Sequence, residues 1–427
     1  MFNNMMQALY NEKGASLRIE ILHDKPIQEF IETHASVLDS SFKQIEMSDI
    51  MRRRLQRSDY IFSGLKTFHE LNEAFPSLLD DNGNRKSFER FLNDVQKINK
   101  TYNQNYLRAE YNFASASAEM AARWEQFMDD GDRYYLQYRT AADGKVRPEH
   151  AALHGVTLPI DDPFWEQFYP PNGWNCRCSV TQVRKSKYPA TPHNEAMALG
   201  EVATQRDTRQ MFRFNPGKEQ KTFPNHNPYT ISRCKTCKLT NSKLAKGIPD
   251  NQLCQACELL QICYEQRDEV IQYGKGIIKI NRNVNRSDSD FQKLYEIAEH
   301  FAALGDEVEL TPKMTRPSKF KYECIYKDLV GTKYEGKCPD LRINGKWYEH
   351  EGYITNNPKN AFRNMMRDGL EQCNRLILDR PNLTERFMRR GVFNRINNGE
   401  DIQEIWLRNP DGTLCLLYKK NGRLTNG

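Results

Sequence analysis

The sequence predicts an α+β multidomain chain: a mainly helical N-terminal module, a small cysteine-bearing insert and a C-terminal α/β domain. Three observations predict it. Apolar residues recur at helical spacing between about Pro26 and Asp130, two Cys-x2-Cys pairs punctuate the middle, and strand-like and helix-like patterns alternate after Gly274. A chain of 427 residues is long enough for two or three domains with cores of their own.

The N-terminal stretch justifies its helices directly. Phe88, Phe91, Leu92, Val95 and Ile98 follow three- and four-residue steps, and 114–127 is rich in helix formers. Asp80-Asp81-Asn82-Gly83-Asn84 is a turn between two helices. From Asp132 turn signals and short strands take over, with Tyr134 to Tyr138 and Ser179 to Val183 the clearest strands, and a further helix is expected around Asn194 to Ala203.

Composition narrows the class. The chain is 38% hydrophobic and 28% charged, so its surface is extensive and polar. Lys and Arg (62) exceed Asp and Glu (56), giving +6, a mild basic bias compatible with nearby nucleic acid. No apolar run approaches a membrane span, and Met1-Phe2-Asn3-Asn4-Met5 lacks the basic start of a secretory signal. The expectation is a chain kept in the cytoplasm, without membrane partners, whose eleven cysteines serve as thiols and metal ligands.

The densest segment runs from Arg147 to Cys178. It contains Arg147-Pro148-Glu149-His150, His154-Gly155, Phe164-Trp165 and Pro170-Pro171-Asn172-Gly173-Trp174-Asn175-Cys176-Arg177-Cys178. His150, His154, Cys176 and Cys178 are ligand types that suit a tetrahedral Zn²⁺. The competing reading is a compact loop pinned by Trp165, Trp174 and the prolines.

Arg139-Thr140-Ala141-Ala142-Asp143-Gly144-Lys145-Val146 and the residues that follow resemble the phage Mu protein F family of head morphogenesis proteins. Tyr102-Asn103 and Glu110-Tyr111-Asn112 upstream, and Phe214-Asn215-Pro216-Gly217-Lys218 downstream, extend the resemblance over about half the chain. It implies that residues 1–230, helical over 26–130 and motif-bearing over 132–183, form a minor head module. Its implied partners are portal and capsid proteins, and its implied place is the virion, with the host cytoplasm before assembly. The resemblance supplies no active site.

Residues 231–265 hold the insert. Cys234-Lys235-Thr236-Cys237 and Cys254-Gln255-Ala256-Cys257 have the spacing of a zinc ribbon, in which each tight turn offers two thiolates to a structural Zn²⁺. As a metal site this pattern ranks ahead of the His150 cluster.

The C-terminal domain, 275–427, opens with a strand at Gly276 to Ile280, an amphipathic helix from Asp288 to Leu304 and a strand at Asp306 to Leu310. Asn344-Gly345 between apolar runs is a hairpin turn that brings Asp340 near Glu349, His350 and Glu351. Alternation puts Glu349 and Glu351 on one face and His350 on the other. Such carboxylates can hold a divalent ion such as Mg²⁺ or serve in acid–base chemistry, or they are simply exposed hairpin charges. Lys337-Cys338-Pro339-Asp340, Ile343-Asn344-Gly345-Lys346 and Tyr348-Glu349 resemble the tRNA-cleaving domains of contact-dependent inhibition toxins. More broadly they are similar to Barnase-EndoU-colicin-RelE-like nuclease domains. A long helix from Asn360 to Arg380 bearing Arg363 and Arg367, and a final hairpin from Ile402 to Tyr418, follow in order.

The implied activity is a ribonuclease with Lys337, Asp340, Glu349, His350, Glu351, Arg363 and Arg367 around the scissile bond. RNA or phage DNA is the nucleic-acid partner, and an immunity protein is a further implied partner. One departure stands out: metal-dependent Asp…Glu-x-Lys nucleases carry lysine two residues after the glutamate, where this chain has Glu351. A metal-dependent DNase and a purely structural virion protein that binds nucleic acid or capsid without cleavage are the alternatives.

Overall fold

The computed structural model describes residues 1–205, 210–230, 250–317 and 319–420 and divides into two compact units, residues 1–264 and 265–427. No described helix is long and apolar enough to cross a membrane.

The first unit is built on the helices Lys25–Ser40, Asp49–Ala74 and Leu107–Asp130, with a shorter helix Phe2–Asn11 that the sequence reading missed. Ser48 caps the longest of them by accepting a hydrogen bond from the Met51 backbone N–H. The expected turn at Asp80–Asn84 is present: Asp80 Oδ1 accepts from the backbone N–H groups of Asn82 and Asn84, and Gly83 sits at φ +79°. Phe42, Met51, Leu55, Ala118 and Ala121 fill one part of the helical core.

The helices lead into a three-stranded antiparallel sheet of order β2-β1-β3, where β1 is Tyr134–Arg139, β2 Thr157–Leu158 and β3 Ser179–Arg184. Its core joins Leu136 and Tyr138 to Leu158, Phe164, Trp165, Phe168, Tyr169 and Val180, and to Trp124 from the preceding helix. Trp165 and the buried Pro170-Pro171 stretch pack with this core, while the partly buried Trp174 lies edge-on to Phe113 and Phe212.

The insert departs from expectation. Cys254 and Cys257 lie three residues apart on the helix Asp250–Glu265, where a zinc ribbon would place them in a tight turn. That helix packs by Tyr264 on Tyr60 and carries an unbroken amphipathic pattern through Leu253, Ala256, Leu259, Leu260 and Cys263, which favours helix over knuckle. Cys234 and Cys237 lie outside the described residues.

The second unit is an eight-stranded mixed sheet. Its strands are β4 Asp268–Tyr273, β5 Gly276–Asn281, β6 Glu307–Leu310, β7 Leu341–Ile343, β8 Lys346–Glu351, β9 Arg375–Asp379, β10 Glu404–Arg408 and β11 Leu414–Lys419. They are ordered β11-β10-β9-β8-β7-β6-β5-β4. The pairs β5–β6, β8–β9 and β9–β10 are parallel and the others antiparallel. Each parallel pair needs a crossover, supplied by the helices Phe291–Ala303, Pro358–Gln372 and Glu385–Asn397.

The two faces separate by strand alternation. Ile377 joins Leu294, Ile297 and Phe301 in one cluster, while its neighbours Leu376 and Leu378 join Phe362, Met365, Met366, Met388 and Val392 in another. A strand buried on both faces reads as a continuous apolar run, so the helix expected from Asn360 to Arg380 ends at Gln372 and Arg375–Asp379 is a central strand.

Candidate functional site

In the second unit the expected hairpin forms, with Asn344 at φ +45° and Gly345 at φ +75° making the turn between β7 and β8. The register pairs Leu341 with Tyr348, which carries Asp340 alongside Glu349. The Asp340 backbone N–H donates to Glu349 Oε2 at 3.0 Å, and the His350 backbone N–H donates to Asp340 Oδ2 at 3.3 Å. Asp340, Glu349 and His350 are all buried, and Glu351 is half-buried beside Gly369, which has no side chain to block it.

Crowding three carboxyl groups raises their affinity for protons. Burial, then Asp340 and Glu351, push Glu349 well above the usual carboxylate range. Glu351 is pushed up to about 7 by burial, Asp368 and Asp340. Asp340 is raised by burial, partly offset by Lys313, whose Nζ lies 3.6 Å from Asp340 Oδ1. A cluster of hard oxygen donors that disfavour one another's charge is the donor set that suits a divalent cation such as Mg²⁺. Asp340, Glu349 and Glu351 would have to draw closer to hold it, since among the described residues they are not a group whose ligand atoms already lie within 4.8 Å of one another.

His350 falls elsewhere. Its ring is on the opposite face of β8, where Nε2 meets Asp379 Oδ1 at 3.2 Å. Asp379 also contacts Lys293 at 2.8 Å and Arg408 at 3.4 Å. Burial would raise Asp379, yet the bonds from His350 and Lys293 hold it below the usual range. The histidine therefore belongs to a charged network separate from the carboxylate cluster.

The expected basic residues are not gathered at the cluster. Arg367 pairs with Asp368 at 2.7 Å, Lys337 with Glu371 at 3.8 Å, and Arg363 is exposed, its carbonyl accepting from Arg395. The cation beside Asp340 is Lys313, which was not among the expected site residues. No fixed spacing marks it, because it comes from the segment after β6 and not from the hairpin.

In the first unit the Arg147–Cys178 segment builds a second constellation. Pro148 opens the single turn Pro148–Ala151 and directs His150 inward. Asn175, at φ +56°, shapes the turn closed by Cys176 N–H donating to the Gly173 carbonyl at 3.1 Å. Two-residue spacing then sends both thiols inward ahead of β3. Cys176 Sγ lies 3.7 Å and Cys178 Sγ 3.8 Å from His150 Nδ1, and all three ligand atoms lie within 4.8 Å of one another. The hydrogen bond from Cys178, with help from His150, pulls Cys176 well below the usual thiol range.

His154 is not part of it. Its Nδ1 accepts from the Thr140 backbone N–H at 3.2 Å. Three of the four weaker candidates thus converge, while the ribbon pair within the described residues lies on a helix.

Comparison with known proteins marks the same segment. Residues 82–181 match the family model for Phage Mu protein F like protein. The chain is 41% identical over 111 residues to a putative capsid assembly protein F of Escherichia phage Mu, covering 26% of this chain and 23% of that one. It is 34% identical over 110 residues to the Mu-like prophage FluMu F protein of Haemophilus influenzae, covering 24% of this chain and 27% of that one. The chain thus spans about a quarter of the length of these curated relatives. No solved structure matches it. The similarity to the Phage Mu protein F like family is thus confined to residues 82–181, where the helical module meets the small sheet and the His150 constellation.

Proposed function

We propose that this chain is a phage capsid assembly protein of the head morphogenesis type, acting with portal and capsid proteins, and that its second unit is a metal-dependent nuclease. The observation that carries the first part is the contiguous Mu F-like segment with 41% and 34% identical relatives. The second part rests on Asp340, Glu349 and Glu351 sharing one face at the open end of the hairpin, with Lys313 3.6 Å from Asp340.

The metal-dependent reading is favoured over a metal-free ribonuclease by the placement of His350. A metal-free RNase needs a proton shuttle near the 2′-hydroxyl, and this imidazole is bonded to Asp379 on the other face. A bound Mg²⁺ would supply charge neutralisation at the phosphate and a more acidic water. Lys313 stands where a cation can meet the phosphate, in place of the lysine that Glu351 displaces from the strand.

The test uses the full chain with tRNA, single-stranded DNA and duplex DNA, with Mg²⁺ and with EDTA. Cleavage that needs Mg²⁺ and disappears in Asp340→Asn and Glu349→Gln is expected. Cleavage that persists in EDTA and depends on His350 would restore the metal-free reading, and no cleavage of any substrate would leave the second unit a binding or structural domain. For the first part, purified heads of a phage that encodes the chain should contain it. Heads that form normally without the chain would remove the assembly role.

A further inference from the structure

We propose that His150 Nδ1, Cys176 Sγ and Cys178 Sγ hold a zinc(II) ion in the Mu F-like unit, with the fourth coordination position facing a small cationic cavity and taken by water. The donor set is two thiols and an imidazole with no carboxylate, which selects a borderline-soft ion such as Zn²⁺ over Mg²⁺ or Ca²⁺. Zn–S bonds of about 2.3 Å and Zn–N bonds of about 2.0 Å at tetrahedral angles set sulfur and nitrogen about 3.5 Å apart. The observed 3.7 and 3.8 Å fall near that value.

Hydrogen bonding alone accounts for the arrangement less well. A neutral imidazole nitrogen has one lone pair and can accept well from one thiol, whereas here both sulfurs stand equally far from the same nitrogen. The three residues are 2%, 6% and 7% exposed, so the constellation is walled off on its protein side. On the other side a cavity of about 260 Å³ meets all three ligands and is lined by Lys145, Arg147 and Arg177. That is ample room for water. The cations also offset the negative charge of two thiolates.

The ion would add a buried cross-link to two segments already joined by the Arg177–Asp143 ion pair and by Arg147 donating to the Trp174 carbonyl. His150 comes from the turn before β2, and the thiols come from the turn before β3, 26 and 28 residues later. Binding would therefore order the segment that defines the Mu F-like match, and its energy would be folding energy.

The experiment removes the other cysteine pairs first. In full chain carrying Cys234→Ser, Cys237→Ser, Cys254→Ser and Cys257→Ser, zinc content should be about one per chain, the count for a single site. Cobalt substitution should give thiolate-to-cobalt charge-transfer absorption. Adding Cys176→Ser with Cys178→Ser, or His150→Ala, should abolish both signals. His150→Cys should keep the metal, and His154→Ala should leave it unchanged. If the four-serine chain does not fold, native mass spectrometry of the wild-type chain should show one metal more than the Cys176→Ser/Cys178→Ser variant. Zinc content that is unaffected by Cys176, Cys178 and His150, or a folded four-serine chain that takes up no zinc or cobalt on titration, overturns the proposal.

Discussion

The backbone N–H of Asp340 donates to Glu349 Oε2 at 3.0 Å, so one buried carboxylate is tied to the chain beside another. This bond separates what the side chain does for the fold from what its charge does. In Glu349→Gln the amide oxygen still accepts the bond and the repulsion from Asp340 and Glu351 disappears. Equilibrium urea unfolding of the full chain should therefore show no loss of stability. Glu349→Ala strands the buried N–H and should cost about 1–3 kcal/mol in the second unit. An alanine variant as stable as the glutamine variant would show that the bond contributes nothing.

Glu70 and His69 both contribute to the pH response of the first unit. Burial pushes Glu70 up to about 8, against partial relief from Lys66 and the amide of Asn103. Burial pulls His69 down to about 4, while its Nε2 contacts the Tyr229 carbonyl at 3.1 Å. Glu70, raised on folding, contributes stability below its ordinary value near 4.5 and loses it as pH rises toward 8. His69, lowered on folding, contributes stability above 6.5 and loses it as pH falls toward 4. Between pH 6.5 and 8 the His69 effect is complete, while Glu70 still loses stability, as does Asp59, which burial also raises. The Glu70 share of the fall in unfolding free energy there should be at most about 1.4 kcal/mol per pH unit. Glu70→Gln should flatten that slope. An unchanged slope in this variant would remove Glu70 as its source.

Legibility from sequence followed the range of the interactions. Asn344-Gly345 was readable because a two-residue turn with positive φ at both positions is a local requirement, and it fixed the placement of Asp340, Glu349 and Glu351. The opposite facing of His350 was readable from alternation alone. Arg375–Asp379 was not, because a strand buried on both faces shows no period and its apolar run reads equally well as the end of a helix. Lys313 and Asp379 escaped because they reach their partners from other strands and loops. His150 and His154 are both four-residue neighbours on paper. Only the turn at Pro148 and the Thr140 contact of His154 decide which faces the thiols.

Gly200 tests packing at the core around the three-stranded sheet. It lies inside the helix His193–Ala203, where alanine would ordinarily gain about 1 kcal/mol over glycine. A Cβ there would run into the ring of the fully buried Phe168. Gly200→Ala should therefore destabilise by about 1–3 kcal/mol, and Gly200→Ala with Phe168→Leu should recover part of it. Thermal unfolding of the three variants decides the sign. A stabilised Gly200→Ala chain would mean that the helix and ring separate at little cost.

Lys66 and Glu110 carry the last prediction. Lys66 Nζ lies 2.6 Å from Glu110 Oε2 with neither side chain more than 4% exposed, and the Tyr229 hydroxyl donates to Glu110 Oε1 at 3.0 Å. Burial would raise Glu110, but His34 and Lys66 beside it hold it below the usual range, so the carboxylate stays charged inside the bundle. Removing one partner leaves an uncompensated buried charge, which costs far more than the pair gains. Lys66→Met should lose about 3–5 kcal/mol. Glu110→Gln in the Lys66→Met background removes the orphaned charge and keeps an acceptor for Tyr229, so the double variant should be more stable than Lys66→Met alone. That inverted order, read from urea unfolding of the four corners of the cycle, is the signature of coupling between the two charges. Additive losses would mean that Glu110 is neutral in the folded chain or that water reaches it once Lys66 is gone.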